Sequence, residues 1–263
     1  MDVSLVLAVY NQLPLTRACL ESLRRTTTPF DLCVVDNGST DGTDVFFRQG
    51  LPVPVRYHRN TENVGLIRAL NQGARVASGE FLCFLHNDTE MREPEWLARL
   101  KAAVERGPDV GLAGLYGARR VRRDGRYAGR TLVHCLEGHG NLAAPVVDAA
   151  AVDGVCLFLH RSLYEWVGGF DEGYGFFHGY DRDLSFAVRE AGKRCVVVDA
   201  PFLHKGGGTR TAEAAPRRPA EDLAERRAAL ARFARKWGHR LPSDVRSLRE
   251  RVTDRVAALW PAS

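Results

Sequence analysis

The stretch "DLCVVDNGSTDGT" (31–43) begins as an apolar run and changes abruptly to small and polar residues. A continuous run of this kind is typical of a strand that is buried on both faces of a sheet. The predicted strand ends at Asp36, and the residues after it are of the types that form turns. The sequence therefore predicts a strand that delivers a carboxylate to a loop at the end of a sheet.

Four more strand patterns lie in the first half of the chain, at residues 3–9, 53–58, 80–88 and 110–115. Apolar residues at helical spacing lie between them, most clearly over 63–79, where Asn63 is the predicted N-cap. Strands that alternate with helices in this way indicate βαβ units and a parallel sheet. We therefore predict an α/β fold, with a Rossmann-like, mostly parallel sheet flanked by helices.

Ligands of such sheets bind beyond the carboxyl ends of the strands, and Asp36 and Asp88 both lie at such ends. We expect the two carboxylates to face one cleft. No GxGxxG follows the first strand, and the sequence contains no GxxxxGK[ST] phosphate loop. A nucleotide in this cleft would therefore be held by side chains and a metal ion.

The second half of the chain regains the alternation of strands and helices. Three elements are predicted there: a strand at 152–160, a helix at 180–194 and a strand at 195–204. A segment with the composition of a linker follows, and then two helical stretches at about 221–237 and 243–259. We divide the chain into a main domain, 1–208, and a C-terminal extension, 209–263.

The composition is that of a soluble globular protein, with 45% apolar and 26% charged residues among 263. No apolar run approaches the roughly 20 residues that span a bilayer, and the N-terminus lacks a basic leader. The six cysteines are scattered and lie mostly in apolar segments, which favours buried free thiols in a reducing compartment. We expect a cytoplasmic location.

The net charge of +5 is concentrated in the C-terminal extension. Residues 1–208 hold 24 Lys and Arg against 25 Asp and Glu, whereas residues 209–263 hold 13 against 7. Because the main domain is near neutral, we expect no nucleic-acid partner.

The extension also contains an apolar stripe, formed by residues at helical steps of three and four: Val245, Leu248, Val252, Val256 and Leu259. The favoured interpretation is that the stripe, next to Trp260, docks on the protein itself or on a second subunit. The alternative is peripheral contact with an anionic membrane, at its inner surface, because arginines lie beside the stripe.

Five blocks of the sequence resemble, in the same order, the signature blocks of family-2 glycosyltransferases of the GT-A fold, in their rhamnosyltransferase-like branch. The blocks are "VSLVLAVYN" (3–11), "VVDNGSTDGT" (34–43), "NVGLIRALNQGARVASGEFLCFLHND" (63–88), "VGGFDEGYGFFHGYDRDLSFAVREAGKR" (167–194) and "FLHKGGG" (202–208). The resemblance implies a GT-A-type sheet with a C-terminal helical extension. It also implies transfer of a sugar from a UDP- or dTDP-linked nucleoside diphosphate sugar to a glycan or glycolipid acceptor.

The resemblance assigns eight residues to the nucleotide sugar: Tyr10, Asn11, Asp36, Asn63, Gly65, Arg68, Asn71 and Asn87. Asp36 corresponds to the aspartate that hydrogen-bonds a pyrimidine base, which suits a carboxylate because it only accepts hydrogen bonds. The alternative is that Asp36 builds a turn or caps a helix. Arg68 could reach a phosphate or could be a solvated helix residue.

The family's metal-binding DxD triplet falls on His86-Asn87-Asp88. Such a triplet holds a divalent cation against two phosphates. The resemblance implies Asp88, His204 and His86 as ligands of Mn²⁺ or Mg²⁺, and a histidine in place of the first acid favours Mn²⁺. Histidines near strand ends are also often structural hydrogen-bonding groups.

The catalytic base of inverting members lies in an acidic pair at the start of a helix, which here is Tyr180-Asp181. A tyrosine stands where the family usually has Glu. The resemblance implies that Asp181 takes the proton of the acceptor hydroxyl as that oxygen attacks the anomeric carbon. A carboxylate at this position is also a common capping feature of helices.

The same comparison of motifs implies five acceptor-binding residues: Asp153, Gly154, Gly169, Phe170 and Asp171. Trp166 and Phe177 could stack on a sugar, although core packing is the favoured interpretation of both.

Two functions remain open from the sequence. The first is an inverting glycosyltransferase of cell-surface polysaccharide or glycolipid synthesis, and the alternative is a nucleotide-sugar-binding protein of the same fold that has lost turnover.

Overall fold

The computed structural model describes residues 1–128, 131–133, 142, 144–206 and 219–259. The helices are α1 (Leu13–Leu23), α2 (Thr43–Arg48), α3 (Leu66–Val76), α4 (Trp96–Arg106), α5 (Arg161–Trp166), α6 (Tyr180–Glu190), α7 (Pro219–Lys236) and α8 (Leu248–Leu259). The strands are β1 (Val3–Val9), β2 (Phe30–Asp36), β3 (Val55–Arg59), β4 (Phe81–Leu85), β5 (Thr89–Met91), β6 (Val110–Gly114), β7 (Tyr116–Ala118), β8 (Arg120–Val121), β9 (Thr131–Val133), β10 (Val146–Ala149), β11 (Ala151–Val152), β12 (Cys156–His160), β13 (Arg194–Val198), β14 (Phe202–His204) and β15 (Ser243–Asp244).

Eight strands form the central sheet, in the order β10-β13-β6-β12-β4-β1-β2-β3. Strands β1 to β4 are parallel to their neighbours among themselves, as are β6 and β13, whereas β12 and β10 run in the opposite direction. The described residues also form three smaller sheets, among them the pair of β14 with β5. The predicted α/β architecture with a mostly parallel sheet is therefore confirmed.

The central sheet is covered by apolar side chains on both faces, which explains the continuous apolar runs of its strands. On β1, Val6 belongs to one core cluster, while Leu5 and Leu7 belong to the other, because successive side chains of a strand point to opposite faces. Helices α3, α6 and α7 cover the first cluster, and α1 and α4 cover the second.

The strand register places several polar segments at one edge of this sheet. Asp36 pairs with Val9 at the ends of β2 and β1, and Cys156 at the start of β12 pairs with Leu85 at the end of β4. His204 pairs with Thr89 across β14 and β5. The ends of β1, β2 and β4, the beginning of β12 and the end of β14 therefore all lie near one another.

Three predicted elements differ from the structure for local reasons. The strand at 152–160 is interrupted between β11 and β12, because the Asp153 carboxylate accepts a hydrogen bond from the Val155 amide and forms a turn. The strand at 195–204 is likewise divided into β13 and β14. Asn63 is not the N-cap of α3: Gly65 is, and the Asn63 side chain accepts a hydrogen bond from the Gly65 amide.

The C-terminal extension packs against the main domain through α7. Phe233 is fully buried, and Trp237 and Leu241 belong to the same core cluster as the helices of the main domain. Strand β15 adds a short antiparallel pair with β8. Residues 229–241 therefore contribute to one of the two core clusters, and the predicted domain boundary at residue 208 stays a prediction.

The apolar stripe of the extension is only partly docked. Val245 packs against the core, whereas Leu248 is 78% exposed and Val252 is 53% exposed. The side chains of Val256 and Leu259, and the whole of Trp260, lie outside the described part of the structure.

Two expectations from composition concern the chain as a whole. The cysteines Cys19, Cys33, Cys83, Cys156 and Cys195 are buried free thiols, as predicted, and Cys135 lies outside the described residues. Among the helices that the structure describes, none is both long enough and apolar enough to cross a membrane.

Candidate active site

A cavity of about 320 Å³ opens at the edge of the sheet where the polar segments meet. Nine of the predicted site residues, including the three predicted metal ligands, line it: Tyr10, Asn63, His86, Asn87, Asp88, Asp153, Gly154, Asp181 and His204. They come from the ends of β1, β4 and β14, the loop between β3 and α3, the turn between β11 and β12, and the first turn of α6. Residues that are up to about 190 positions apart in the chain therefore share one site.

Three of these side chains form a cluster with the ligand types of a metal site, called the metal-type cluster below: His86, Asp88 and His204. Their potential ligand atoms lie within 4.8 Å of one another. His204 Nε2 is 3.1 Å from Asp88 Oδ1 and 3.5 Å from His86 Nδ1. Burial opposes the ionisation of Asp88, but the hydrogen bond and charge of His204 hold the pKa of the carboxyl below its usual value.

The donor set of this cluster fits a divalent cation. Two imidazole nitrogens and one carboxylate oxygen are ligands that Mn²⁺ and other first-row divalent ions accept. The Asp88 carboxylate stays ionised at neutral pH despite its burial, because His204 offsets the effect of burial on its pKa, so it needs no deprotonation to bind a cation. Asn87, between two of these residues, instead donates a hydrogen bond to Thr16 Oγ1 at 2.9 Å and helps to fix the loop.

Two carboxyl groups, those of Asp153 and Asp181, also line the cavity. Asp181, in the first turn of α6, accepts a hydrogen bond from the Gly154 amide at 3.3 Å through Oδ2. Burial, together with the negative charge of Asp181, raises the pKa of Asp153 to about 7. Near neutral pH, Asp153 is therefore able to carry a proton and to donate a hydrogen bond.

Tyr180, which precedes Asp181, is in contact with the metal-type cluster. Its hydroxyl oxygen is 2.9 Å from His86 Nε2, and the side chain is only 4% exposed. Burial and the nearby carboxylates raise the pKa of Tyr180 well above its usual range, so the phenol stays neutral. Gly154 is required beside it, because a Cβ at that position would overlap the Tyr180 hydroxyl.

Tyr10 and Asn63 line the predicted nucleotide side of the cavity, whereas Asp36 and Asn11 are buried and do not line it, so Asp36 does not face the cavity together with Asp88 as expected. The Asp36 carboxylate is fully buried and accepts hydrogen bonds from the Ser39 amide at 2.8 Å and the Tyr57 hydroxyl at 2.6 Å. These contacts agree with the turn-building alternative for Asp36. Base recognition by this residue stays a prediction.

Asn11 and Gly65 shape the backbone around the nucleotide side. The Asn11 side chain accepts a hydrogen bond from the Thr40 amide at 2.8 Å, and its own backbone has a positive φ of 52°. Gly65 has a φ of 92°, and a Cβ there would crowd Phe176. Both residues therefore act on the shape of the cavity wall, and neither lines it.

Two of the predicted nucleotide ligands, both on α3, are directed elsewhere. Arg68 is 62% exposed and forms an ion pair with Glu172 at 3.4 Å. The Asn71 side chain is engaged on both sides, since its amide donates to the Phe170 carbonyl and its oxygen accepts from the Tyr164 hydroxyl. The structure does not bring either residue to the cavity, so their roles as ligands stay predictions without geometric support.

The loop from Gly169 to Asp171 also lies away from the cavity, in a separate depression of the surface. Phe170 is 2% exposed and packs in the core against Phe84 and Tyr180. Burial opposes ionisation of Asp171, but Lys236 and Arg232 of α7 hold its pKa at about 2. These residues fasten the loop and α7 to the core, and their predicted contact with an acceptor has no support in this geometry.

Apart from Phe177, which was named as able to stack on a sugar, several cavity residues were not predicted from the sequence. The segment from Phe176 to Gly179, which precedes α6, forms one wall, and Arg226 of α7 reaches the same cavity. Phe177 is half-buried in this wall, so core packing was the wrong interpretation for it. Trp166 is 70% exposed, so core packing was wrong there as well.

The sequence did contain a signal for this cavity wall. The segment "GYGFFHG" (173–179) is rich in glycine and aromatic residues and lies next to the candidate base Asp181. Arg226 gives no such signal, because it lies in α7, outside the five blocks of the chain that resemble the family.

Comparison with known proteins assigns the chain to a family. Residues 4–165 match the model of glycosyl transferase family 2, which is more than half of the chain, and the protein belongs to this family. Its architecture is that of the GT-A fold.

Two relatives and one solved structure give the range of similarity. The uncharacterized protein y4gI of Sinorhizobium fredii is 30% identical over 239 residues, which cover 83% of this chain and 26% of the relative. The O-antigen biosynthesis protein RfbC of Myxococcus xanthus is 28% identical over 234 residues, with 81% and 18% covered. The chain thus spans about a quarter or less of the length of these curated relatives.

The solved structure is the mannosyltransferase PcManGT from Pyrobaculum calidifontis in complex with GDP-Man and Mn²⁺. It superposes with a TM-score of 0.60 at 19% sequence identity, covering 99% of this chain and 81% of that one. At this level of identity the likeness concerns the fold.

Proposed function

We propose that the protein is a metal-dependent, inverting glycosyltransferase that moves a sugar from a nucleoside diphosphate sugar to an acceptor hydroxyl. The observation that carries this proposal is that the His86, Asp88 and His204 cluster lines the same cavity as Asp181. Membership of glycosyl transferase family 2 supports it. The name of the relative RfbC supports a role in the synthesis of a cell-surface polysaccharide or glycolipid.

The donor would lie between the metal-type cluster and the nucleotide side of the cavity. His86, Asp88 and His204 would hold the cation, and Tyr10 and Asn63 would contact the nucleotide. When bound, a divalent cation neutralises the negative charge that develops on a diphosphate leaving group. Asp36 would bind the base of a UDP- or dTDP-linked donor after a change in the hydrogen bonds that now hold its turn.

The chemical step assigned to Asp181 is proton transfer. The acceptor oxygen attacks the anomeric carbon, the bond from that carbon to the diphosphate oxygen breaks, and the hydroxyl proton passes to the Asp181 carboxylate. Attack from the face opposite the diphosphate inverts the anomeric centre. Asp153 would hold the acceptor by donating a hydrogen bond, which its raised pKa allows near neutral pH.

Binding of UDP, dTDP and GDP tests the metal part of this proposal. We expect calorimetric titration to show nucleotide binding that is stronger with Mn²⁺ than with excess chelator. Asp88→Ala should lose the metal-dependent part of the affinity, because it removes the ionised ligand. Glu21→Ala, which removes an exposed carboxylate on α1, serves as the control.

Equal affinity with chelator, or an Asp88→Ala variant that behaves like the wild type, would refute metal-dependent binding through Asp88. Metal-dependent binding of a nucleotide without any turnover of its sugar derivatives would instead support the alternative, a binding protein of the same fold.

A further inference from the structure

The side chains of His86 and Tyr180 come from positions 94 residues apart and meet beside the metal-type cluster. These are the two positions at which the chain carries no acidic residue where the family pattern has one. The imidazole of His86 lies between two partners. Its Nε2 is 2.9 Å from the Tyr180 hydroxyl, and its Nδ1 is 3.5 Å from His204 Nε2.

Tyr180 is held in this place by its surroundings. Its ring packs edge-on against Phe170, with ring centroids 5.1 Å apart, and it is 4% exposed. Gly154 leaves the space that the hydroxyl occupies, since any Cβ there would overlap it. The hydroxyl is therefore a fixed partner for one particular nitrogen of His86.

We propose that Tyr180 is a positioning residue that accepts a hydrogen bond from Nε2–H of His86, so that the Nδ1 lone pair of His86 is directed at the cluster and binds the metal ion directly. The inference rests on the proposed metal-dependent function and specifies its ligand set. His86, His204 and Asp88 then supply two nitrogens and one oxygen.

This ligand set determines which cations the site favours. Mg²⁺ prefers oxygen ligands and keeps much of its water, whereas imidazole ligands suit first-row transition metals. A second imidazole therefore shifts the preference of the site from Mg²⁺ toward Mn²⁺. His86 and Tyr180, the two residues that depart from the family pattern, thus act together: His86 provides a metal ligand and Tyr180 orients it.

Removing the hydrogen-bond partner of a metal-bound histidine typically costs about 10- to 100-fold in metal affinity. Tyr180→Phe removes only the hydroxyl and keeps the buried ring, so it should weaken Mn²⁺ binding to the full chain by about ten-fold or more. Tyr174→Phe is a matched control, because Tyr174 is also buried but donates its hydroxyl to Asp183. We expect the control to leave Mn²⁺ affinity unchanged.

Electron spin-echo spectroscopy of bound Mn²⁺ provides a direct readout of the nitrogen ligands without any substrate. The wild type should show coupling to two imidazole nitrogens, and His86→Asn should show one. His86→Asn should also reduce the preference for Mn²⁺ over Mg²⁺, measured by competition. The wild-type spectrum tests the ligand set even if a variant fails to fold.

Coupling to a single nitrogen in the wild type, or unchanged Mn²⁺ affinity in Tyr180→Phe, would overturn the inference and leave the proposed function intact. Absence of Mn²⁺ binding to the wild-type chain would overturn both.

Discussion

Asp153 illustrates how the position of one residue sets its chemistry. It interrupts the strand pattern between β11 and β12, accepts a hydrogen bond from the Val155 amide, and lies beside Asp181 at the cavity. Burial and the charge of Asp181 raise its pKa to about 7, far above the ordinary value of 3.8. The Asp153 carboxyl group is therefore able to gain or release a proton near neutral pH.

The raised pKa of Asp153 predicts a specific dependence of stability on pH. Between about pH 4 and pH 7, the folded protein holds a proton that the unfolded chain has released, so the free energy of unfolding falls as pH rises through this window. Asp153→Asn removes the titrating group and should flatten this fall. Urea unfolding in chelator, from about pH 4 to pH 8, measures it.

The exposed Asp124 provides the matched control, since Asp124→Asn should keep the wild-type slope. Parallel pH profiles for the wild type and Asp153→Asn would show that Asp153 does not titrate in this range.

At the scale of elements, α7 links the C-terminal extension to the cavity wall. Glu225 Oε1 accepts hydrogen bonds from the backbone amides of Phe176 and Phe177 at 3.0 and 2.7 Å. The Phe176 carbonyl in turn accepts from the amide of Leu66, at the start of α3. One turn earlier on α7, Asp222 is 2.9 Å from His178. The wall between the nucleotide side and Asp181 is therefore held from outside by α7.

Glu225→Ala should loosen this wall and weaken the binding of UDP with Mn²⁺ by about ten-fold, because hydrogen bonds to a charged acceptor contribute about 1.5–3 kcal/mol. Glu225→Gln keeps an acceptor oxygen and should restore most of the affinity. Calorimetric titration measures both variants. Arg227→Ala, at an exposed position of the same helix, is the control. A Glu225→Ala variant with wild-type affinity for UDP would contradict the role of α7.

The elements that the sequence predicted best are those with strong local patterns. The bounds of β1 match the prediction, because a fully buried strand has a continuous apolar run. The turn at Asp153 was missed because it depends on one side-chain hydrogen bond. The docking of α7 was missed too, although Ala229, Phe233 and Trp237 recur at steps of four.

The candidate site shows the same limit. The resemblance to the family's motifs implied roles for His86, Asp88, His204 and Asp181 in one site, and all four line the cavity. The motifs gave no information on the direction of side chains. They therefore could not show that the Asn71 side chain donates a hydrogen bond to the Phe170 carbonyl and is not directed at the cavity.

At the scale of the whole molecule, the extension and the main domain share a core. Phe233 of α7 is fully buried and packs edge-on against Phe186 of α6, with ring centroids 4.8 Å apart. Asp183 of α6 accepts hydrogen bonds from Trp237 and Lys236 at 2.7 and 2.8 Å. The helix that carries Asp181 is therefore anchored by residues beyond position 208.

Phe233→Ala should lower the free energy of unfolding by about 3–5 kcal/mol, the usual cost of removing a large buried aromatic side chain. Leu248→Ala, at the exposed part of the apolar stripe, should change it by no more than about 0.5 kcal/mol. Denaturant unfolding measures both. Similar stabilities for the two variants would contradict a shared core.

The membrane alternative for the stripe stays a prediction, to be tested with anionic liposomes.

The release of nucleoside diphosphate from a panel of UDP-, dTDP- and GDP-sugars, with Mn²⁺ present, tests the proposed glycosyltransferase activity most directly. The wild-type chain should release nucleoside diphosphate from at least one donor, with water as a slow acceptor. Asp181→Asn should bind that nucleotide as well as the wild type but react about 10²- to 10⁴-fold more slowly, because it lacks the base. Release by Asp181→Asn at the wild-type rate, or no release from any donor by the wild type, would contradict the account.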